Sequence, residues 1–299
     1  MIGRIVEIAG DGRHAAVSRG FLTVAKGDEI LGRVALDDLA AVIFNAHGIT
    51  VSNNLMLRLA ERRIPLVLCG TNHLPAALVW PVAGHHAQSG RIADQAAASK
   101  PLKKRLWTQI VQAKIRQQGA TLAQCGAPYG GFALLARKVK SGDPENVEAE
   151  AARRYWPLLF GSSFRRDRQA GGLNGLLNYG YTVLRAGVAR AVIASGLTPS
   201  LGLMHSSRVN AHVLVDDLME PFRPTVDREV WRLAREGIEE VDSEAKAELA
   251  RLMIVDLPTK EGMSPMMTAA ERLAQSLARA FAGEEARLAL PLDRLPLAG

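Results

Sequence analysis

The chain has 299 residues with a formal charge of +7, and nearly half of those residues are hydrophobic. That composition excludes a disordered or fibrous chain, and the length supports one large or two ordinary domains. No run of about 18 apolar residues is present, which argues against a membrane span, and the excess of Lys and Arg favours a polyanionic partner.

The first 80 residues read as strands. Ile2–Ala9, Arg13–Val17, Phe21–Val24, Ile30–Leu36 and Ala41–Phe44 are short and rich in β-branched residues. Asp11-Gly12, Lys26-Gly27-Asp28 and His47-Gly48 punctuate them as hairpin signals. One helix interrupts, capped by Ser52, with Leu55 and Leu59 on its apolar side and Glu61-Arg62-Arg63 at its end. Ile64–Cys69 then reads as a buried strand. The stretch 76–94 shows neither a helical nor a strand period and is predicted to be a linker between a β domain over 1–75 and a helical domain over 95–299.

Beyond the linker, Leu102, Leu106, Ile110 and Ile115 predict an amphipathic helix whose basic face carries Lys103, Lys104, Arg105, Lys114 and Arg116. Near the C-terminus, Ser264-Pro265 predicts a helix start, with Met266, Ala270, Leu273, Leu277 and Phe281 as one core stripe. The final stretch with Pro291 and Pro296 reads as a tail. The predicted class is α+β, a small β-rich part followed by a larger all-α part.

One helix breaks the usual pattern. It starts at Asp143-Pro144 and continues through Pro157, with Asp143 as cap and Pro144 in the first turn. At about 100° per residue, Val147, Ala151, Ala152, Tyr155, Leu158 and Leu159 share an arc, and Glu148 falls within it. An ionised carboxylate buried there needs an arginine, a metal ion or a water-filled cleft. A second acidic cluster follows His205. Asp217 and Glu220 are i, i+3 neighbours, and Asp216 and Glu220 are i, i+4 neighbours. These repel unless a cation lies between them, either Arg223 or a divalent ion. Carboxylates with one imidazole suit Mg²⁺ or Mn²⁺ better than structural zinc. Cys69 and Cys125 are isolated, with no CxxC spacing, which fits a reducing cytoplasm.

A series of motifs now meets a known family. Asn146-Val147-Glu148 through Tyr155-Trp156 comes first, then Leu173-Asn174-Gly175-Leu176-Leu177-Asn178-Tyr179-Gly180-Tyr181. Gly196-Leu197-Thr198-Pro199 leads to Gly202-Leu203-Met204-His205, and Asp217-Leu218-Met219-Glu220-Pro221-Phe222-Arg223-Pro224 completes the series. In order and approximate spacing it resembles the CRISPR-associated spacer integrase, in the branch found with single-protein (type II) effectors. The resemblance implies that Glu148, His205 and Glu220 bind a catalytic Mg²⁺ or Mn²⁺, with Asp217 as a supporting acid. Asn178 and Tyr179 match the family's central-helix motif, where they either orient ligands or simply pack the helix.

The resemblance further implies a DNA endonuclease and integrase that joins 3′-hydroxyl ends to the CRISPR repeat by transesterification. Given a DNA substrate, Lys103, Lys104, Arg105, Arg165, Arg166 and Arg168 are the expected phosphate contacts. The implied assembly is a homodimer paired through the β domains, two such dimers flanking a dimer of the small second adaptation protein in a heterohexamer, with the type II effector nuclease as a further partner. The competing readings are a stand-alone metal-dependent nuclease acting on branched DNA in repair, and a non-catalytic DNA-binding scaffold.

Overall fold

Short β-branched runs build the N-terminal part and helices build the remainder, so the class is α+β in the expected order. The computed structural model describes residues 4–70, 75–207 and 209–293. The predicted strand start at Ile2 and the tail position Pro296 lie outside the described residues.

Eight strands come first: β1 (Arg4–Ile8), β2 (His14–Ser18), β3 (Phe21–Lys26), β4 (Glu29–Ala35), β5 (Leu39–Phe44), β6 (Thr50–Val51), β7 (Leu66–Cys69) and β8 (Pro75–Val79). They form two four-stranded sheets ordered β1-β5-β7-β8 and β4-β3-β2-β6. Of the expected hairpin turns, Gly27-Asp28 joins antiparallel β3 and β4 as predicted. Asp11-Gly12 and His47-Gly48 do not close hairpins, because β1 and β5 are parallel and each of these turns crosses from one sheet to the other. The two turns clasp each other instead: Gly48 N donates to Asp11 Oδ1 at 2.7 Å and Gly12 N to Gly48 O at 3.0 Å. The β2–β3 hairpin closes through Arg19-Gly20, both at positive φ, as a tight two-residue loop requires.

Helix α1 (Asn53–Glu61) is capped by Ser52, whose Oγ accepts from Leu55 N at 3.2 Å. Its Leu55 and Leu59 close a core over Ile8, Leu22, Val42 and Leu66. Strand β5 is buried along its whole length. Val42 and Phe44 face that core, while Ala41 and Ile43 join the larger helical core, so one sheet belongs to both parts.

The predicted linker over 76–94 is not irregular. It contains most of β8, which pairs antiparallel with β7, and the start of α2 (Gln88–Ala97). Neither shows an apolar period. Three of the five residues of β8 are alanine or proline, and the fully buried side chain of α2 is an amide, Gln95. It donates to the carbonyls of Thr198 and Leu201 and accepts from Thr198 N.

The helical part follows with α3 (Lys100–Gln124), α4 (Phe132–Lys138), α5 (Val147–Phe160), α6 (Leu173–Ala194), α7 (Val213–Met219), α8 (Arg223–Arg235), α9 (Ser243–Leu249) and α10 (Met266–Phe281). Helix α3 departs from the amphipathic expectation. Past its first turns, Leu106, Trp107, Ile110, Val111, Ala113 and Ile115 are buried on several sides, the mark of a central helix. Its exposed basic character is concentrated near the start, and Lys114 turns inward. The part expected to be all-α also carries a hairpin, β9 (Asp256–Thr259) with β10 (Gly262–Pro265), turned at Lys260-Glu261 and followed by Gly262 with φ +106. That hairpin displaces the expected start of α10. Ser264 lies in β10 and accepts from Arg272 at 2.9 Å, and the helix begins at Met266 with its predicted stripe buried.

Candidate functional site

Three chain segments converge on one cleft, and each fixes its side chain by local chemistry. The first is the start of α5. Asp143 accepts from Val147 N at 2.9 Å and Glu148 N at 3.0 Å, satisfying two free helix donors. The helix itself begins at Val147, later than Asp143-Pro144 predicts. Asp143 and Asn146 both adopt positive φ, so the chain makes a tight turn containing Pro144 before the first helical residue. Val147, Ala151, Tyr155 and Leu159 are buried as the arc requires. Leu158 is an exception, 37 % exposed, and Ala152 borders the cleft beside Glu148.

The second segment joins α7 to α8 through a single tight helical turn, Glu220–Phe222. Arg223 Nε donates to Glu220 Oε1 at 2.8 Å, the pairing anticipated from their spacing. Asp216 points elsewhere, to Arg185 at 2.8 Å and Asn210 at 2.7 Å. The third segment is the loop carrying His205. Its Nδ1 lies 2.5 Å from Asp217 Oδ1, and its ring stands edge-on to Trp107 of α3. Asp217 is completely buried and also accepts from Leu203 N at 2.8 Å and Met204 N at 3.3 Å. It therefore holds together the loop and the imidazole, which lines the cleft.

The partner of Glu148 is a residue absent from the sequence-based alternatives. Lys114 Nζ lies 2.5 Å from Glu148 Oε1 and 2.5 Å from Glu220 Oε2. The first contact is a hydrogen bond. The second is an ion pair without hydrogen-bond angles, so among the described residues Glu220 Oε2 is buried with no hydrogen-bond donor. Burial opposes the charge on Lys114, but Glu220 and Glu148 outweigh it and hold the pKa above its ordinary value. Burial likewise opposes ionisation of Glu220, and Arg223 with Lys114 outweighs it and holds the carboxyl well below its ordinary value. The hydrogen bond to Asp217 is the largest influence on His205 and raises its pKa, against partial burial.

Behind this centre is a network that the sequence reading missed. Tyr181 and Tyr155 donate to the buried Asp227 at 2.5 and 3.0 Å, and Arg223 lies 4.6 Å over the Tyr181 ring. Burial pushes Asp227 up to about 7 despite both hydroxyls.

The cleft has a volume of about 800 Å³, and Arg166, Arg168 and Arg185 also line it. Arg166 donates to Asn174 at 2.9 Å and Asn178 at 2.6 Å, while Asn178 Nδ2 donates to the Arg168 carbonyl at 2.9 Å. Asn178 thus positions the arginine loop. Tyr179, next along α6, points away from the cleft and donates to Glu7 of β1 at 2.7 Å. Arg165 donates to the Ser162 and Phe164 carbonyls outside the cleft wall, and Lys103, Lys104 and Arg105 lie at the start of α3, also outside it.

Among the described residues, no three His, Cys, Asp or Glu side chains form a ready-made metal cage; the Lys114 ammonium lies between the carboxylates. The donor chemistry still fits a hard divalent cation. Glu148 and Glu220 supply oxygens, one of them buried without a hydrogen bond, and His205 is fixed through its other nitrogen by a carboxylate, as metal-binding histidines commonly are.

The fold and cleft together define a class: α+β proteins with a carboxylate–imidazole centre at the base of an arginine-walled groove. The model of the family described as CRISPR associated protein Cas1 matches residues 6–255. The chain is 37 % identical over 240 residues to a CRISPR-associated endonuclease Cas1 of Neisseria meningitidis serogroup C (strain 8013), covering 79 % of this chain and 78 % of that one. It is 29 % identical over 268 residues to a protein of the same description, Cas1 1, from Pyrobaculum aerophilum, covering 84 % and 88 %. Among solved structures, a casposase bound to integration product superposes with a TM-score of 0.79 at 18 % identity, covering 95 % of this chain and 92 % of that one. A CAS1 protein from Thermotoga maritima gives 0.77 at 15 % identity, covering 94 % and 98 %. The chain belongs to the Cas1 family.

Proposed function

We propose that the protein is the metal-dependent DNA endonuclease and integrase of a CRISPR adaptation system, joining 3′-hydroxyl ends of DNA fragments to the CRISPR repeat. The observation that carries this reading is the meeting of Glu148, Glu220 and an oriented His205 at the base of a cleft walled by Arg166, Arg168 and Arg185. The printed descriptions of the relatives as CRISPR-associated endonucleases, and of a structural neighbour as bound to an integration product, support it.

Glu148, His205 and Glu220 hold Mg²⁺ or Mn²⁺, which when bound supplies Lewis-acid stabilisation of charge on the phosphoryl oxygens. Arg166 and Arg168 bind the DNA backbone and fix its register, and Asn178 holds the loop that carries them. Asp217 keeps the imidazole in one orientation. In the reaction, the fragment's 3′-hydroxyl oxygen forms a bond to phosphorus as the repeat's bridging P–O bond breaks. The 3′-hydroxyl of the cut strand is released, and no energy source is required.

Two copies pair through the β part. Ile30 and Leu31 of β4 and Phe21 of β3 are exposed apolar side chains near an open sheet edge, which supports such pairing. The small second adaptation protein bridges two dimers. The description of a structural neighbour as a Cas6-RT-Cas1–Cas2 complex supports that partnership.

The test is transfer of a labelled duplex with free 3′-hydroxyls into a supercoiled plasmid bearing the repeat, with the small partner and Mg²⁺ or Mn²⁺. Transfer at the repeat boundary is expected. Metal-dependent cutting without transfer would favour the stand-alone nuclease.

A further inference from the structure

Lys114 belongs to a buried stretch of α3. It projects from α3 one turn beyond Ile110 and Val111, both completely buried, and its own side chain is only 13 % exposed. Nζ lies 2.5 Å from a carboxylate oxygen on each side, one from α5 and one from the turn before α8. Arg223 engages only the other oxygen of Glu220. Among the described residues, Lys114 is the ion-pair partner of Glu148, whereas Glu220 also has Arg223.

The contacts turn this arrangement into a device. The Glu148 and Glu220 carboxylates are balanced one for one by the two cations that touch them, the Lys114 ammonium and the Arg223 guanidinium. A divalent ion placed between Glu148 and Glu220 adds two positive charges where an ammonium already stands, at distances where unlike and like charges interact strongly in a partly desolvated site. The ion and the ammonium therefore repel each other across the same oxygens. We propose that Lys114 is the built-in counter-cation of the carboxylate pair and competes with the divalent ion for it. This rests on the reading of Glu148, His205 and Glu220 as the metal-holding set. Lys114 keeps the two acids together before loading and weakens the affinity of the empty centre for metal. Its flexible stem lets the ammonium withdraw into the same cleft as the ion enters.

The test is a Mn²⁺ titration of the DNA-free protein followed by electron paramagnetic resonance, for wild type, Lys114→Met, Lys114→Arg and Glu148→Gln. Methionine keeps most of the volume without the charge. The expected result is at least tenfold tighter Mn²⁺ binding by Lys114→Met. Lys114→Arg, which keeps the cation, should stay within threefold of wild type, and Glu148→Gln should lose at least tenfold. Equal or weaker binding by Lys114→Met, with the loss in Glu148→Gln intact, overturns the competition while leaving the ligand set standing. Failure of wild type and Lys114→Met alike to bind Mn²⁺ overturns the ligand set and the competition with it. If Lys114→Met does not fold, amine acetylation of the wild-type protein read by mass spectrometry serves instead. Modification of Lys114 should rise at least fivefold on saturation with Mg²⁺ while exposed Lys140 is unchanged, and no rise overturns the proposal.

Discussion

Asp217 Oδ1 lies 2.5 Å from His205 Nδ1, and the carboxylate making that contact is completely buried while the imidazole it holds is 61 % exposed to the cleft. The exposed group is therefore oriented from beneath by an acid that does not line the cleft. Asp217→Asn should lower metal affinity and strand transfer by roughly 10- to 100-fold, as loss of a carboxylate behind a ligating histidine does. Asp217→Ala should also destabilise the fold by about 1–3 kcal/mol, because the Leu203 and Met204 N–H groups lose their acceptor. Mn²⁺ titration and urea unfolding of the two variants check these outcomes.

Stability should fall as pH rises through neutrality. The Asp227 carboxyl has an ordinary value of 3.8 when exposed and is pushed by burial to about 7 in the folded protein. Between those values the folded state binds the extra proton, so its stability is greatest on the acid side and is lost as pH rises to about 7. His205, raised above 6.5 chiefly by its bond to Asp217, has the same sign: its contribution is complete below 6.5 and is lost as pH rises through the folded value. Glu220 is held low and acts oppositely, its contribution present above 4.5 and lost as pH falls through the folded value. Thermal unfolding of metal-free protein should show a declining Tm between about pH 5 and 8. Asp227→Asn should flatten the decline by roughly a few kcal/mol of proton-linked stability.

Glu7 ties the β part to the helices. It accepts from Asn45 at 2.6 Å, Tyr179 at 2.7 Å and Lys246 at 3.1 Å, and its side chain is 8 % exposed. Glu7→Ala strands a phenol and an ammonium. Lys246 is partly exposed and regains some hydration, so the expected loss is roughly 2–3 kcal/mol, below that for a fully buried pair. Urea unfolding should show that loss with Mn²⁺ affinity unchanged.

The two basic groups singled out from the sequence should differ in their effect on DNA binding. Arg168 lines the cleft wall, whereas Lys104 is exposed at the start of α3, away from it. Arg168→Ala should weaken DNA binding and reduce the slope of log affinity against log salt by about one. Lys104→Ala should change both by much less. Fluorescence anisotropy across a salt series separates them.

Strands β1 to β5 and β7 and helices α1, α3, α5 and α10 were legible because their apolar periods are local, whereas α4, α8, α9 and the β9–β10 hairpin were not read. Glu148 was legible because a carboxylate on an apolar arc needs a partner. Lys114 satisfies the same criterion, one turn beyond Ile110 and Val111, but a lysine among other basic residues reads as a solvated face. That its ammonium meets Glu148 and Glu220 depends on how α3, α5 and the turn before α8 cross, which no local spacing encodes. Helix α2 was missed because an amide, Gln95, anchors it where an apolar stripe would normally serve. Asn178 and Tyr179 are adjacent in sequence, yet only Asn178 reaches the cleft, because successive helical residues point about 100° apart.

The central claim is tested most directly by strand transfer with Glu148→Gln beside wild type, both folded, with the small adaptation partner, the repeat-bearing plasmid and Mn²⁺. The account predicts transfer at the repeat boundary by wild type and a loss of at least 100-fold in Glu148→Gln. Equal transfer by the two proteins would contradict it and place the catalytic centre elsewhere.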